Sequence, residues 1–257
     1  MAEIISVHSF RGGTGKSNLT ANLSTMIAQA GYRVGVIDTD VQSPGIHVIF
    51  GLDEKEIDKA LNDYLWGRCT IEETAHDVNP MLQMGEGRVA VMSGGISFIP
   101  SSIRVGEISR IIHEGYDVDL LNSGLKRLIQ SLDLDYLFID THPGLHEETL
   151  LSLAMSDVLL LILRPDQQDY QGTAVTIEVA RKLEMTRMML VVNKVLPEFD
   201  FEVVRREVEK TYGVPVIGVL PLSMDMVRLG SGGIFCLRYP EHPLTQGMLE
   251  IAKKIMA

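Results

Sequence analysis

Cysteine is nearly absent from this 257-residue chain: there are two, Cys69 and Cys236, far apart in sequence. No CxxC or CxC spacing occurs, which argues against a metal or redox cluster built within one chain and for two packed thiols. Positive charge is also short. Lys and Arg number 23 against 34 Asp and Glu, a formal net charge of -11, so a mainly electrostatic nucleic-acid binder is not the first reading. The deficit is uneven. Residues 181–257 carry 11 Lys and Arg against 9 Asp and Glu, leaving 12 against 25 in residues 1–180, so a modest basic patch has room near the end. No apolar run approaches the ~20 residues that cross a bilayer. The start Met1-Ala2-Glu3 has no basic segment, and residues 4–7 are too short for a signal-peptide core. The chain reads as soluble and cytoplasmic. Internal repeats, low-complexity tracts and linkers are missing, which points to one domain over 1–257.

What is present is alternation. Apolar strand-like runs fall at 4–7, 34–37, 89–92, 96–99, 137–139, 158–163, 189–192 and 216–220. Helical periodicity falls between and after them, at 16–30, 120–132, 171–183, 201–212 and 244–256. Continuous apolar strands separated by helices predict an α/β fold: a mostly parallel twisted sheet covered by helices on both faces. The acidic stretch 53–63 reads as a solvated helix.

The first strand runs directly into "HSFRGGTGKSNLT", residues 8–20. Strand, glycine-rich loop and helix is the context of a phosphate-binding P-loop, whose backbone N–H groups and helix N-terminus face an anion. The strict pattern G-x-x-x-x-G-K-[ST] wants glycine where Phe10 stands. Gly12, Gly13 and Gly15 permit the tight backbone. Lys16 is placed to reach the β- and γ-phosphates, Ser17 to bind Mg²⁺ through its hydroxyl, and Thr14 and Asn18 flank them as further nucleotide contacts. "VIDTD" puts Asp38 and Asp40 at the carboxyl end of a strand, and "YLFIDTHPG" puts Asp140 at the end of another. That is the edge where open α/β sheets bind ligands. Asp140 reads as a Walker-B residue holding Mg²⁺; Asp40 as the group that orients or activates the attacking water, with a share in the metal shell; Asp38 as support for the loop or metal. Arg11 is a permanent cation with a fork suited to phosphate. It serves its own site, serves a second subunit in trans, or is simply exposed.

These residues resemble the ParA/MinD-type ATPases, whose deviant Walker A motif is K-G-G-x-G-K-[ST]. The resemblance continues through "DVQSPGIHVIFGL" (switch I), "ISFIPSS", "IDTHPG" (Walker B and switch II), "ILRPDQQDYQGT", "VVNKV" and the segment from 218 to 244. It implies ATP and ADP as ligands with Mg²⁺, slow hydrolysis, and a homodimer formed on ATP binding that hydrolysis separates. It also implies that Asn193 contacts adenine and that Pro221, Leu222 and Met224 line the base pocket. An activating or adaptor protein is expected, working with a positioned or segregated cargo. Non-specific DNA binding stays open, with Arg205, Arg206, Lys210, Arg228, Lys253 and Lys254 as candidates. Membrane attachment is disfavoured, because "EIAKKIMA" looks like a core helix and no basic amphipathic tail follows it in this sequence.

There are departures. Arg11 stands at the signature lysine, and His142 at the first proline of D-x-P-x-G. His142 is either a polar group acting near the γ-phosphate or a tolerated replacement. Pro143-Gly144 between His142 and His146 breaks a helix, so a zinc site there is not expected. Three other readings compete. A metal-cluster insertion ATPase wants closely spaced cysteines, and a capsule-type tyrosine kinase wants a tyrosine cluster where only Tyr239 stands. A non-hydrolysing nucleotide-binding scaffold would explain Arg11 and His142 as lost turnover.

Overall fold

A computed structural model describes residues 2–80 and 94–257. The strand expected at 89–92 lies outside them. The chain runs β1 (Glu3–His8), α1 (Lys16–Gln29), β2 (Arg33–Asp38), α2 (Ile46–Ile49), α3 (Leu61–Leu65), β3 (His76–Asp77), β4 (Gly95–Ile99), α4 (Val105–Glu114) and α5 (Val118–Ser131). It continues through β5 (Tyr136–Asp140), α6 (Glu147–Ala154), β6 (Val158–Leu163), α7 (Gln167–Lys182), β7 (Met188–Val195), α8 (Phe201–Tyr212), β8 (Val216–Pro221), α9 (Met224–Leu229), α10 (Phe235–Arg238) and α11 (Pro243–Ile255).

The eight described strands form one sheet in the order β3-β4-β2-β5-β1-β6-β7-β8. β3 pairs antiparallel with β4; every other pairing is parallel. This is the expected doubly covered α/β sheet. The period of two survives inside strands that look uniformly apolar. On β5, Phe138 packs into the layer under α1 and α11, while Leu137 and Ile139 join α5 on the other face. On β6, Leu160 and Ile162 face the first layer, and Leu159, Leu161 and Leu163 face α7 and α8.

α1 is buried almost all round, so its polar residues bond to backbone: Thr20 Oγ1 donates to Lys16 O and Thr25 Oγ1 to Ala21 O. Leu244, Met248, Ile251, Ala252 and Ile255 of α11 are buried, as the sequence pattern predicts. α7 starts four residues before the expected 171, because Asp166 accepts the Gln168 and Asp169 N–H groups and caps the helix there.

The solvated helix expected over 53–63 is not formed. Asp53 caps a single 3₁₀ turn, Glu54–Glu56, and α3 begins at Leu61. Ile57, Ala60 and Leu61 are buried between them, so three apolar side chains bend the segment inward against its acidic composition.

β1 sits at the centre, with β5 on one side and β6 on the other. The chain crosses from β1 to β2 on one side and from β5 to β6 on the other. The strand order therefore reverses at β1, and a crevice opens at its carboxyl end.

Candidate functional site

The loop after β1 fills that crevice. Gly13 has φ 76° and Gly15 φ 93°, a left-handed backbone that glycine adopts without strain. A Cβ on Gly15 would lie 2.6 Å from Asn193 Nδ2, so the loop and β7 also need the missing side chain there. β7 pins the loop through a bulge. Val192 pairs with Val219 and Val195 with Pro221, leaving Asn193 and Lys194 opposite one residue, and Lys194 has φ 60°. A bulge re-aims side chains. Here Asn193 Nδ2 donates to Thr14 O at 2.8 Å and Lys194 Nζ to Gly13 O at 2.7 Å.

Phe10 takes the place of the first Walker glycine by pointing elsewhere. Its ring lies on Gly172 of α7, where an added Cβ would fall 2.0 Å from Phe10 Cδ1. Ser9 Oγ donates to Arg11 O at 2.9 Å, and Gly144 N donates to Ser9 O at 3.1 Å, which fixes the loop's first half.

Lys16 opens α1 and is only 7% exposed. Its Nζ donates to Asp140 Oδ1 at 2.8 Å, and Thr20 Oγ1 reaches the same oxygen at 3.1 Å. Asp38 and Asp140 end neighbouring strands in register. Burial first, then the charges of Asp140 and Asp40, push the Asp38 carboxyl well above the usual carboxylate range. Asp38 Oδ1 accepts Asp40 N at 3.0 Å and Oδ2 accepts Gly45 N at 3.3 Å. Asp40 Oδ1 accepts Ser43 N and Ser43 Oγ, both at 3.0 Å, and His142 Nδ1 at 2.6 Å. The structure thus brings the loop, Lys16, Asp38, Asp40 and Asp140 together at one sheet edge. Among the described residues no group of three or more His, Cys, Asp or Glu is arranged to hold a metal by itself.

His8 lies beneath the loop. Thr141 Oγ1 gives its one proton to Val7 O at 3.0 Å, so His8 Nδ1 donates to Thr141 at 2.7 Å. Its buried Nε2 has no partner among the described residues. Burial first, then the charges of Lys16, His142 and His146, pull the His8 imidazole down to about 3.

Arg11 is half-exposed and stands 3.9 Å from Asp166 of its own chain. Asp166 is also met by Arg164 at 3.1 Å. Its carboxyl is held below the usual range, by the Asp169 N–H first and Arg164 among the further causes.

Beside Gly15 and Asn193 a cavity of about 270 Å³ continues between β7, β8 and α9. Pro221 and Leu222, expected on the base side, line it, and so does Asn18. Met224 does not: it is 56% exposed, and Met226, two residues on, turns inward instead. Asn18 Oδ1, in this lining, and Thr14 Oγ1, in the loop, are buried without partners among the described residues. A larger hollow of about 960 Å³ lies at the opposite end of the sheet around Glu3, Tyr32, Tyr136 and Arg187. It is far from the loop, and Arg187 is paired with Glu3.

Of the basic candidates, Arg205 pairs with Glu202, Arg228 with Asp225 and Lys253 with Glu250. Arg206 and Lys254 bond to backbone carbonyls. Carboxylates thus face three of the six candidates, while the carbonyl partners of Arg206 and Lys254 do not cancel their charge.

Sequence reasoning missed Ser43, Thr20, Lys194 and Met226, and it left His142 without a partner. The spacing of "DTHPGLH" displays His142; nothing local ties it to Asp40, 102 residues earlier.

A family model described as "NUBPL iron-transfer P-loop NTPase" matches residues 1–256. The chain is 28% identical over 257 residues to an uncharacterized ATP-binding protein of Methanocaldococcus jannaschii, covering 100% of this chain and 88% of that one. It is 23% identical over 268 residues to an iron-sulfur cluster carrier protein of Pyrococcus horikoshii, covering 98% and 85%. The fold matches the septum site-determining protein MinD complexed with Mg-ADP from Pyrococcus horikoshii, with TM-score 0.78, 21% identity and coverage of 99% and 96%.

Proposed function

The chain belongs to the ParA family of P-loop NTPases, described as NUBPL iron-transfer P-loop NTPases, and from that premise we propose that it binds ATP with Mg²⁺ and hydrolyses it slowly. In this reading ATP pairs two copies of the protein, and the paired state positions or assembles a cargo. The observation that carries it is the loop itself: a left-handed glycine backbone at the N-terminus of a buried helix, with Lys16 held inside it. Backbone N–H groups and helix dipole together favour an anion.

The chain's own groups fit the nucleotide. Thr14 Oγ1 and Asn18 Oδ1 are buried polar atoms awaiting partners. Lys16 Nζ exchanges Asp140 for phosphate oxygens, Asn193 and Asn18 face the base, and Ser17 with Asp140 and Asp40 would hold Mg²⁺. That ion supplies charge neutralisation on the phosphates. Asp40 orients the attacking water, and Arg11 contacts phosphate in its own site or its partner's. No helix among the described residues is long and apolar enough to cross a membrane.

A second reading has an observation in its favour: a relative is an iron-sulfur cluster carrier protein. The thiols speak against it. Cys236 is buried, and burial pushes its thiol up to about 12; Cys69 is half-buried and its thiol is likewise raised. A thiol must ionise to bind metal. Anaerobic reconstitution with iron and sulfide, followed by metal analysis, separates the two readings.

Phosphate release tests the main reading. Wild type is expected to turn over ATP and Lys16→Ala to lose nucleotide binding; equal release from both would leave only a scaffold.

A further inference from the structure

Three donors converge on one oxygen of Asp40. Ser43 brings its N–H and its hydroxyl from the segment after β2, and His142 brings Nδ1 from the segment after β5. No described hydrogen bond falls on Oδ2. An oxygen already receiving two Ser43 protons has none to give, so the third bond is donated by His142 Nδ1–H. At 2.6 Å it is the shortest of the three.

His142 is itself braced. Thr149 Oγ1 donates to its carbonyl at 3.3 Å, and its ring lies 5.1 Å from the His146 ring, centroid to centroid. Behind it, Thr39 stitches the two segments together: its N–H and hydroxyl both donate to Asp140 O, at 3.0 and 3.1 Å. The backbone of His142 is thus tied down and its ring lies against that of His146, with Nδ1 aimed at Asp40. A proline at this position would offer no donor at all.

We propose that His142 is a positioning residue: with the two Ser43 donors it clamps Asp40 Oδ1, so that Oδ2 is presented in one orientation to the water that attacks the terminal phosphate. The clamp also ties the segments carrying Asp40 and Asp140 to each other. This rests on the hydrolysis reading above, and it deepens it by naming what aims the water-directing carboxylate.

The test compares wild type, Lys16→Ala, His142→Ala, His142→Asn, His142→Gln and the Asp40→Ala/His142→Ala pair. It measures kcat by phosphate release and ATP affinity with a fluorescent analogue. Loss of aim costs turnover rather than binding, so His142→Ala is expected to lower kcat about ten-fold or more with affinity held within about two-fold. Asn places its Nδ2 where Nδ1 stood and is expected to restore most of the rate; Gln, whose amide mimics Nε2, is not. The double variant is expected to be no slower than Asp40→Ala alone.

A readout without nucleotide accompanies these. In ¹⁵N-histidine-labelled protein a downfield Nδ1–H proton of His142 is expected to disappear in Asp40→Ala. Wild-type kcat in His142→Ala, Asn no better than Gln, or a His142 proton indifferent to Asp40→Ala would each overturn the proposal. Equal phosphate release from wild type and Lys16→Ala is a different failure: it removes hydrolysis, and the positioning role with it.

Discussion

His8 shows how one side chain is set by where the fold puts it. The unfolded imidazole titrates near its ordinary 6.5, while the native one is pulled down to about 3. Between those values the unfolded chain binds a proton that the native protein refuses, so stability falls as pH falls through the window. The slope reaches ~1.4 kcal/mol per pH unit, or about 2 kcal/mol between pH 6.5 and 5. Asp38 works in the opposite sense, since its raised carboxyl favours the native state at low pH. The comparison is therefore made within a pair. His8→Asn keeps a donor for Thr141 and cannot titrate. Denaturant melts at pH 7, 6 and 5 are expected to show wild type losing about one proton's worth of slope more than His8→Asn. Parallel curves for the two would refute the assignment. Residues at the loop obey the same logic of place: Lys16, Asp38 and Asp140 are buried ions or acids tolerated because each has bonded partners.

Among elements, the contact between the loop and α7 carries the most information. Phe10 lies on Gly172, and nothing larger than hydrogen fits beneath the ring. Gly172→Ala is expected to destabilise by ~1–3 kcal/mol through overpacking, and to weaken ATP binding because the displaced ring pulls on Ser9 and Arg11. Phe10→Ala should relieve the clash, so the double variant is expected to recover stability relative to Gly172→Ala alone. Unfolding midpoints and nucleotide titration check both parts; an additive double variant would show that ring and helix do not meet. The bulge in β7 is the second element that matters, because without it Asn193 and Lys194 would not both reach the loop.

At the scale of the whole molecule the question is pairing. Asp40→Ala keeps Lys16 and the glycine loop but removes the carboxylate proposed to direct water, so ATP should stay intact in it. Light scattering with ATP and Mg²⁺ is expected to give about twice the monomer mass for Asp40→Ala, and a return to monomer for wild type as ATP is spent. A monomer under saturating ATP in both would remove the switch. DNA affinity, if present, should fall steeply with salt. Arg205, Arg228 and Lys253 are paired with neighbouring carboxylates, which leaves Arg206, Lys210 and Lys254 as the candidates to provide it.

Much of this was written locally in the chain. The phosphate loop is contiguous from Gly12 to Ser17, and β1 and α1 on either side follow from apolar runs and helical spacing, so an alternating chain with a P-loop at its first crossover could be read without coordinates. The positions of Asp38 and Asp140 were legible for the same reason, each ending an apolar strand, with Asp40 two residues past the first. Residues 53–63 misled because composition suggested solvent, whereas Ile57, Ala60 and Leu61 had a core to enter that only the assembled sheet provides. Met224 and Met226 could not be told apart, since which side of α9 meets the cavity depends on how that short helix docks. Local spacing selects strand, loop and helix because those choices are settled within a few residues. Pairings such as Asp40 with His142, or Phe10 with Gly172, depend on which distant segments the β1 crossover brings side by side. They became visible once the chain was closed into its sheet.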